Sequence, residues 1–183
     1  MQSKTHSRIL LLAQGGVIAA LYVALTYLSA LLGLSGQNLI QFRLSEVLTI
    51  LPFFSFAAVP GVTIGCLLAN ILTGAAPWDV VFGTLASLIG AVGTYLIGKY
   101  AGPKLRFTAS IPPILSNTLI VPFVVYYCYG LDQTLSGYST GVALLITAAA
   151  VLLGEFVCCG VLGTALQAVL LRYPRVLGDR SAK

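Results

Sequence analysis

The chain has 183 residues, of which 58% are hydrophobic and only 8% charged, with a formal net charge of +5 and a mean hydropathy of +0.96. That apolar share exceeds what a soluble domain carries, and its apolar runs are long enough to cross a bilayer, so the composition predicts an all-α integral membrane protein. No stretch of mixed polarity is long enough for a second, soluble domain, so residues 1–183 are expected to form one membrane domain, with any soluble engine on another chain.

The first apolar segment, residues 9–34, follows Lys4, His6 and Arg8. It is longer than the roughly 7–15 apolar residues of a signal peptide, and is expected to be a retained spanning helix with a cytoplasmic N-terminus. Within it, Gly16, Ala20 and Ala24 recur every fourth residue on one face. Such a stripe lets another helix approach closely, and periodicity leaves open whether that helix belongs to this chain.

Residues 46–76 could form one kinked span through Pro52 and Pro60, or two short spans joined at "AAVPG", residues 57–61. Charge decides between them. Lys and Arg concentrate in short cytoplasmic loops, so Lys4 and Arg8 belong on the side of Lys99, Lys104 and Arg106, which requires an even number of crossings between them. The expected spans are therefore six: 9–34, 46–58, 60–76, 79–98, 111–129 and 140–171, with both termini cytoplasmic and Arg43 the one basic residue outside. Gly61, Gly65 and Ala69 form a second small-residue stripe. Short, Pro- or Gly-interrupted spans such as the middle two point to binding sites in transporters.

The five acids are Glu46, Asp79, Asp132, Glu155 and Asp179. Asp132 and Asp179 are expected in solvent, and Glu46 and Asp79 each open a span, where the helix dipole favours a carboxylate. Glu155 is different: in "LLGEFVCCGVLG", residues 152–163, it lies about halfway along the last span, where a charge costs about 3 kcal/mol. An acid at that depth is a candidate functional residue. Asn70 and Asn117 add buried amides that either join helices or bind a ligand. With six spans, Gln41, Arg43, Glu46, Asn70, Trp78 and Asp79 ring one outer mouth, and Glu155 can form its floor.

Several patterns carry no chemistry. "GTYLIGK", residues 93–99, resembles a phosphate loop, but Tyr100 replaces the required Ser or Thr and the stretch ends a membrane helix, so no nucleotide site is expected. Cys66, Cys128, Cys158 and Cys159 show no metal-ligand spacing and read as small apolar fillers. The one histidine lies in the N-terminal tail, and an intramembrane enzyme would need a His or paired acids at mid-depth, neither of which the sequence offers. The basic residues lack interleaved aromatics and read as topology and lipid attraction, not nucleic-acid binding.

Five ordered stretches, "IQFRLSEVLTILPFF", "VPGVTIGCLLANILTG", "PWDVVFGTLASLIGA", "PPILSNTLIV" and "GEFVCCGVLG", together resemble the queuosine-precursor transporter (QueT) family over residues 9–172. These are substrate-binding S components of energy-coupling factor (ECF) transporters. The resemblance implies six helices in the S-component fold, a multi-pass location in a bacterial-type cell membrane, and an outward pocket capped by the loop after the first helix. It implies partners as well: a transmembrane coupling protein and two cytoplasmic ATPases that hydrolyse ATP, this chain holding no cofactor. Ala20 and Ala24 match the Ala-x-x-x-Ala by which S components contact the coupling protein, which favours an external partner for the Gly16 stripe. The implied substrate is a 7-deazaguanine base, with Glu155 accepting from its adjacent N–H donors, Trp78 or a tyrosine stacking on the ring, and Asn117, Gln41 and Arg43 supplying contacts or a lid. The alternatives are an S component for another vitamin and a solitary transporter that works without ATPases.

Overall fold

A computed structural model describes residues 2–34, 40–101, 103–128 and 135–172 as helices and turns, with no strand among them. The side chains of Lys4, His6, Arg8 and Lys104 lie outside the described set, as do Asp132, Asp179 and the basic tail. Helix α1 (Gln2–Leu31) is followed by a 3-10 helix (Leu44–Phe53), then α2 (Ala58–Leu72) and α3 (Pro77–Tyr100). A second 3-10 helix (Pro103–Ser110) leads into α4 (Ile111–Cys128). The last span is α5 (Thr140–Glu155), a π-helical stretch (Phe156–Gly163) and α6 (Thr164–Arg172), run together without a break. Four stretches, 9–31, 77–100, 106–128 and 140–172, are long and apolar enough to cross a membrane, and Leu44–Phe53 and Ala58–Leu72 are shorter apolar helices.

Helix ends follow local chemistry. Gly33 (φ 67°) ends α1: the Leu34 N–H reaches back to the Ser29 carbonyl at 2.9 Å, the six-residue closure that a left-handed glycine permits. Gly74 (φ 71°) repeats the device after α2, with Ala75 N–H on the Asn70 carbonyl at 2.9 Å. Pro77 then opens α3 in the first helical turn, where its missing N–H is no loss.

Pairwise contacts fix the direction of each element. Ser45 meets Thr26 and Ser55 meets Gln14, so the first 3-10 helix runs back along α1. Gly61 packs on Gly15, Gly65 on Ala19 and Tyr22, and the Tyr27 hydroxyl donates to the Leu72 carbonyl, so α2 runs parallel to α1. The 3-10 form explains how ten residues make the return: at about 2.0 Å per residue it covers about 20 Å, against about 15 Å for an α-helix of equal length. Irregular backbone at that depth is tolerated only inside protein. Here it is sheltered, for Leu48, Ile50 and Leu51 join Ile18, Tyr22, Val62 and Cys66 in the main core.

The polarity of the molecule is inverted relative to a soluble protein. Large apolar residues such as Leu12, Leu31, Leu119 and Leu145 are exposed, while Glu46, Asn70, Asp79, Asn117 and Gln167 are buried. Small residues let the helices close on one another. A Cβ on Gly61 would lie 2.9 Å from the Gly15 carbonyl oxygen, and one on Gly90 would lie 2.7 Å from Pro113 Cα. The Gly61–Gly65–Ala69 stripe is thus an internal seam with α1. The GTYLIGK stretch lies inside α3 with no strand before it, as expected of a chance match.

Candidate functional site

Residues 40–43 form a short strap across one end of the helices. Phe42 N–H donates to the Leu34 carbonyl just past α1 at 2.8 Å, and Leu44 N–H to Ser29 Oγ of α1 at 2.8 Å, which ties the strap to the end of α1. Its middle rests on α5 at Gly154, where any Cβ would fall 2.1 Å from the Gln41 carbonyl oxygen. Arg43, extended at φ −94° and ψ 101°, reaches over α3 and donates to Asp79 Oδ2 at 3.1 Å, with a longer contact of 3.5 Å to Asn70 Oδ1. Asn70 in turn donates to the Asp79 carbonyl at 3.4 Å. The strap is therefore fastened to α3 by an ion pair whose acid is 2% exposed, and to α2 by the longer contact with Asn70.

Beneath the strap, four elements bring polar groups to one point. The first turn of the 3-10 helix presents Glu46, also 2% exposed, whose Oε1 accepts from the Tyr22 hydroxyl of α1. Asn117 of α4 donates through Nδ2 to Glu155 Oε1 at 2.9 Å and, more distantly, to Glu46 Oε2 at 3.5 Å. One amide thus bridges two carboxylates. Glu155 Oε2 faces the Cys159 thiol at 3.1 Å, and that thiol lies 3.4 Å from Thr49 Oγ1. Cys159 reaches this position from the π-helical stretch, a widened turn of the kind that gathers at functional sites.

These groups enclose a cavity of about 20 Å³ lined by Gln41, Arg43, Glu46, Ser87, Asn117 and Glu155, with smaller contributions from apolar neighbours. That volume admits about one water molecule. Small-molecule sites commonly enclose roughly 300–1,000 Å³, so the cavity as built is too small for such a guest. Its chemistry is that of an acceptor-rich pocket: four carboxylate oxygens and an amide face a single guanidinium. Glu46, Glu155 and Cys159 also place one ligating atom each within 4.8 Å of one another, a set that could offer a metal three ligands, although every one of these atoms already takes part in hydrogen bonding.

Of the residues expected at the mouth, Gln41, Arg43 and Glu46 line this cavity together with Glu155, expected as its floor, and Asn117, expected as a further contact, while Asn70 and Asp79 stand behind Arg43. Trp78 does not join them. It is 62% exposed, stacks on Phe82 with ring centroids 6.0 Å apart, and lines a separate apolar groove of about 790 Å³ between α3 and α4. Helical geometry explains this: successive residues turn by about 100°, so with Asp79 facing Arg43 its neighbour faces outward. Gly16, Ala20 and Ala24 are exposed on α1, while Ile18, Ala19 and Tyr22 make the buried side toward α2.

Two expectations are corrected. The sequence offered Glu155 as a lone acid and no paired acids at mid-depth; the return of the 3-10 helix along α1 carries Glu46 to it, so the acids form a pair. Cys159 is more than a filler, since its thiol, four residues on from Glu155, donates to Glu155 Oε2 at 3.1 Å. Tyr22, Thr49 and Ser87 went unread. Tyr22 had a signal, because it falls on the helical face of Ile18, Ala19 and Thr26, opposite the more conspicuous Gly16 stripe.

A protein of Lactococcus lactis subsp. cremoris (strain MG1363) named as a queuosine precursor transporter QueT is 38% identical over 101 residues, covering 54% of this chain. The chain thus spans 56% of the length of that relative. No solved structure matches the chain significantly. The QueT transporter family model matches residues 12–172, nearly all of the described membrane region, and the chain belongs to that family.

Proposed function

We propose that this protein is the substrate-binding subunit of an ATP-driven ECF importer and that it binds a queuosine precursor, a 7-deazaguanine base, beneath the strap. The family is one of transporters, so the chain is a multi-pass membrane protein and not an enzyme. The observation that carries the reading is the acceptor-rich cluster of Glu46, Glu155 and Asn117 under a strap held by Arg43. A guanine-type edge presents adjacent N–H donors, and a carboxylate can take both at once. Hydrogen bonds to an ionised acceptor are about twice as strong as neutral ones, so Glu155 can decide which base is held. Lifting the strap admits the ring, and reseating Gln41 on Gly154 covers it.

The alternating directions of the 3-10 helix and α2 support six passes, two of them short. Lys99 lies in the last turn of α3 and Arg172 in the last turn of α6, at the end opposite the strap; placing basic ends in the cytoplasm opens the strap outward. Transport then requires partners: a transmembrane coupling protein that contacts the exposed Gly16–Ala20–Ala24 stripe, and two ATPases that hydrolyse ATP. Mass spectrometry of small molecules retained by the purified protein tests the substrate, with a 7-deazaguanine expected and another vitamin contradicting it. Glu155→Gln, which turns an acceptor into a donor facing a donor, is expected to weaken binding about a hundredfold, or about 2.7 kcal/mol. Co-purification with two ATPases and a coupling subunit tests the module; full uptake by the chain alone would contradict it.

A further inference from the structure

Three side chains of α1 hold the start of the first 3-10 helix. Tyr22, Thr26 and Ser29 stand four and three residues apart, a spacing that stacks them on one helix face, and all three are buried. Their partners are the three consecutive residues that follow the strap. Ser29 Oγ accepts the Leu44 N–H at 2.8 Å, Thr26 Oγ1 shares a hydroxyl–hydroxyl bond of 2.9 Å with Ser45, and the Tyr22 hydroxyl donates to Glu46 Oε1. The rungs of this ladder are themselves anchored. Ser29 Oγ bonds back to the Leu25 carbonyl at 2.9 Å and Thr26 Oγ1 to the Tyr22 carbonyl at 2.9 Å, so each hydroxyl is fixed on its own helix. Thr49 then holds Glu46 from the far side, donating to its carbonyl at 2.6 Å.

The strap itself is held at other points. Arg43 reaches Asp79 of α3, Gln41 rests on Gly154 of α5, and Phe42 N–H meets the Leu34 carbonyl, beyond the last residue of α1. The two sets of fastenings therefore divide at Arg43. Residues 40–43 can leave α3 and α5 without breaking any of the three α1 rungs. The bond from Glu46 N–H to the Arg43 carbonyl, 3.0 Å, closes the first turn of the 3-10 helix and makes Arg43 the joint between the two parts.

We infer that Tyr22, Thr26 and Ser29 are positioning residues for the base: they keep residues 44–46 on α1 when residues 40–43 lift, so that Glu46 stands ready as an acceptor in the open site. The inference rests on the reading above that a base enters beneath the strap. It divides the work between two rates. An acceptor that is correctly placed for only a fraction of the time lowers the apparent affinity by that fraction, and the loss falls on association. A strap that seats badly shows instead in dissociation.

The test is stopped-flow binding of 7-cyano-7-deazaguanine to the purified full-length protein, together with exchange of the Leu44 amide, followed by NMR in ¹⁵N-leucine-labelled protein. Thr26→Val and Ser29→Ala should each slow association about three- to tenfold and change dissociation by less than about twofold, while Thr26→Ser, which keeps the hydroxyl, should restore the native rate. A lower unfolding temperature with both rate constants unchanged would reduce the ladder to a structural role and overturn the inference. The Leu44 amide should exchange at least about tenfold faster in Ser29→Ala, yet stay within about twofold of the native rate in Gly154→Ala, whose strap cannot seat. Equal acceleration in the two variants would mean that residues 44–46 travel with the strap, and overturns the inference as well. If the base fails to bind even the unsubstituted protein, the nucleobase reading falls instead, and the Leu44 rates still decide whether α1 holds this segment apart from the strap.

Discussion

The pocket under the strap and the groove between α3 and α4 differ in size, lining and enclosure. The α3–α4 groove is about forty times larger than the pocket under the strap, yet its walls are Trp78, Phe82, Leu85, Leu119 and Phe123, large apolar side chains of the sort exposed over much of the described surface. The small pocket holds two carboxylates, an amide and a guanidinium that no lipid tail can satisfy. In a bilayer, apolar concavity is ordinary and buried polarity is expensive, so chemistry rather than volume marks the site. The two also differ in enclosure: the small pocket is covered by a strap that the Arg43–Asp79 ion pair holds down, and the groove has no such cover among the described residues.

The ion pair that fastens the strap can be cut from either side. Arg43→Ala or Asp79→Ala removes one partner of a largely buried pair and should cost about 3–5 kcal/mol of stability, measured by thermal unfolding in detergent. The double change Arg43→Met with Asp79→Leu should lose less than either single one; equal losses would mean that the ion pair does not fasten the strap. Tyr22→Phe deletes the hydroxyl on Glu46 Oε1 and should cost about 1.5–3 kcal/mol, as loss of a hydrogen bond to a charged group does. Unchanged stability in that variant would place Glu46 outside the cluster.

Gly154→Ala puts a methyl group where the Gln41 carbonyl now sits, so the strap cannot seat fully. Base binding should weaken about tenfold, or about 1.4 kcal/mol, chiefly through faster dissociation in stopped-flow traces, since the strap then fails to hold its guest. A variant that releases base at the normal rate would deprive the strap of its role. Trp78→Ala is the smallest effect: affinity should change by less than twofold, and a loss of tenfold or more would bring the groove back into the site.

The chain revealed its membrane class, its long helices and the polar residues that line the small pocket because polarity in an apolar field is conspicuous whatever its partners. Arg43, Asn117 and Glu155 were legible for that reason. What stayed hidden was anything set by long-range contact or by irregular helix. Glu46 was read mainly as a helix-opening acid because its partners Tyr22 and Asn117 lie 24 and 71 residues away. Leu44–Phe53 returns along α1 because a 3-10 helix stretches ten residues far enough, and no periodicity in the sequence announces that; Cys159, by contrast, stands four residues after Glu155, a spacing that puts two side chains on one helix face. Trp78 was misplaced by adjacency, since a neighbour in sequence is not a neighbour on a helix face.

The most direct test is a structure of the protein with 7-cyano-7-deazaguanine bound. The account predicts the base with its donor edge on Glu155 and Asn117, and residues 40–43 displaced from Gly154 or reseated above the ring. A base lying against Trp78 in the α3–α4 groove, with the Glu46–Asn117–Glu155 contacts undisturbed, would contradict it.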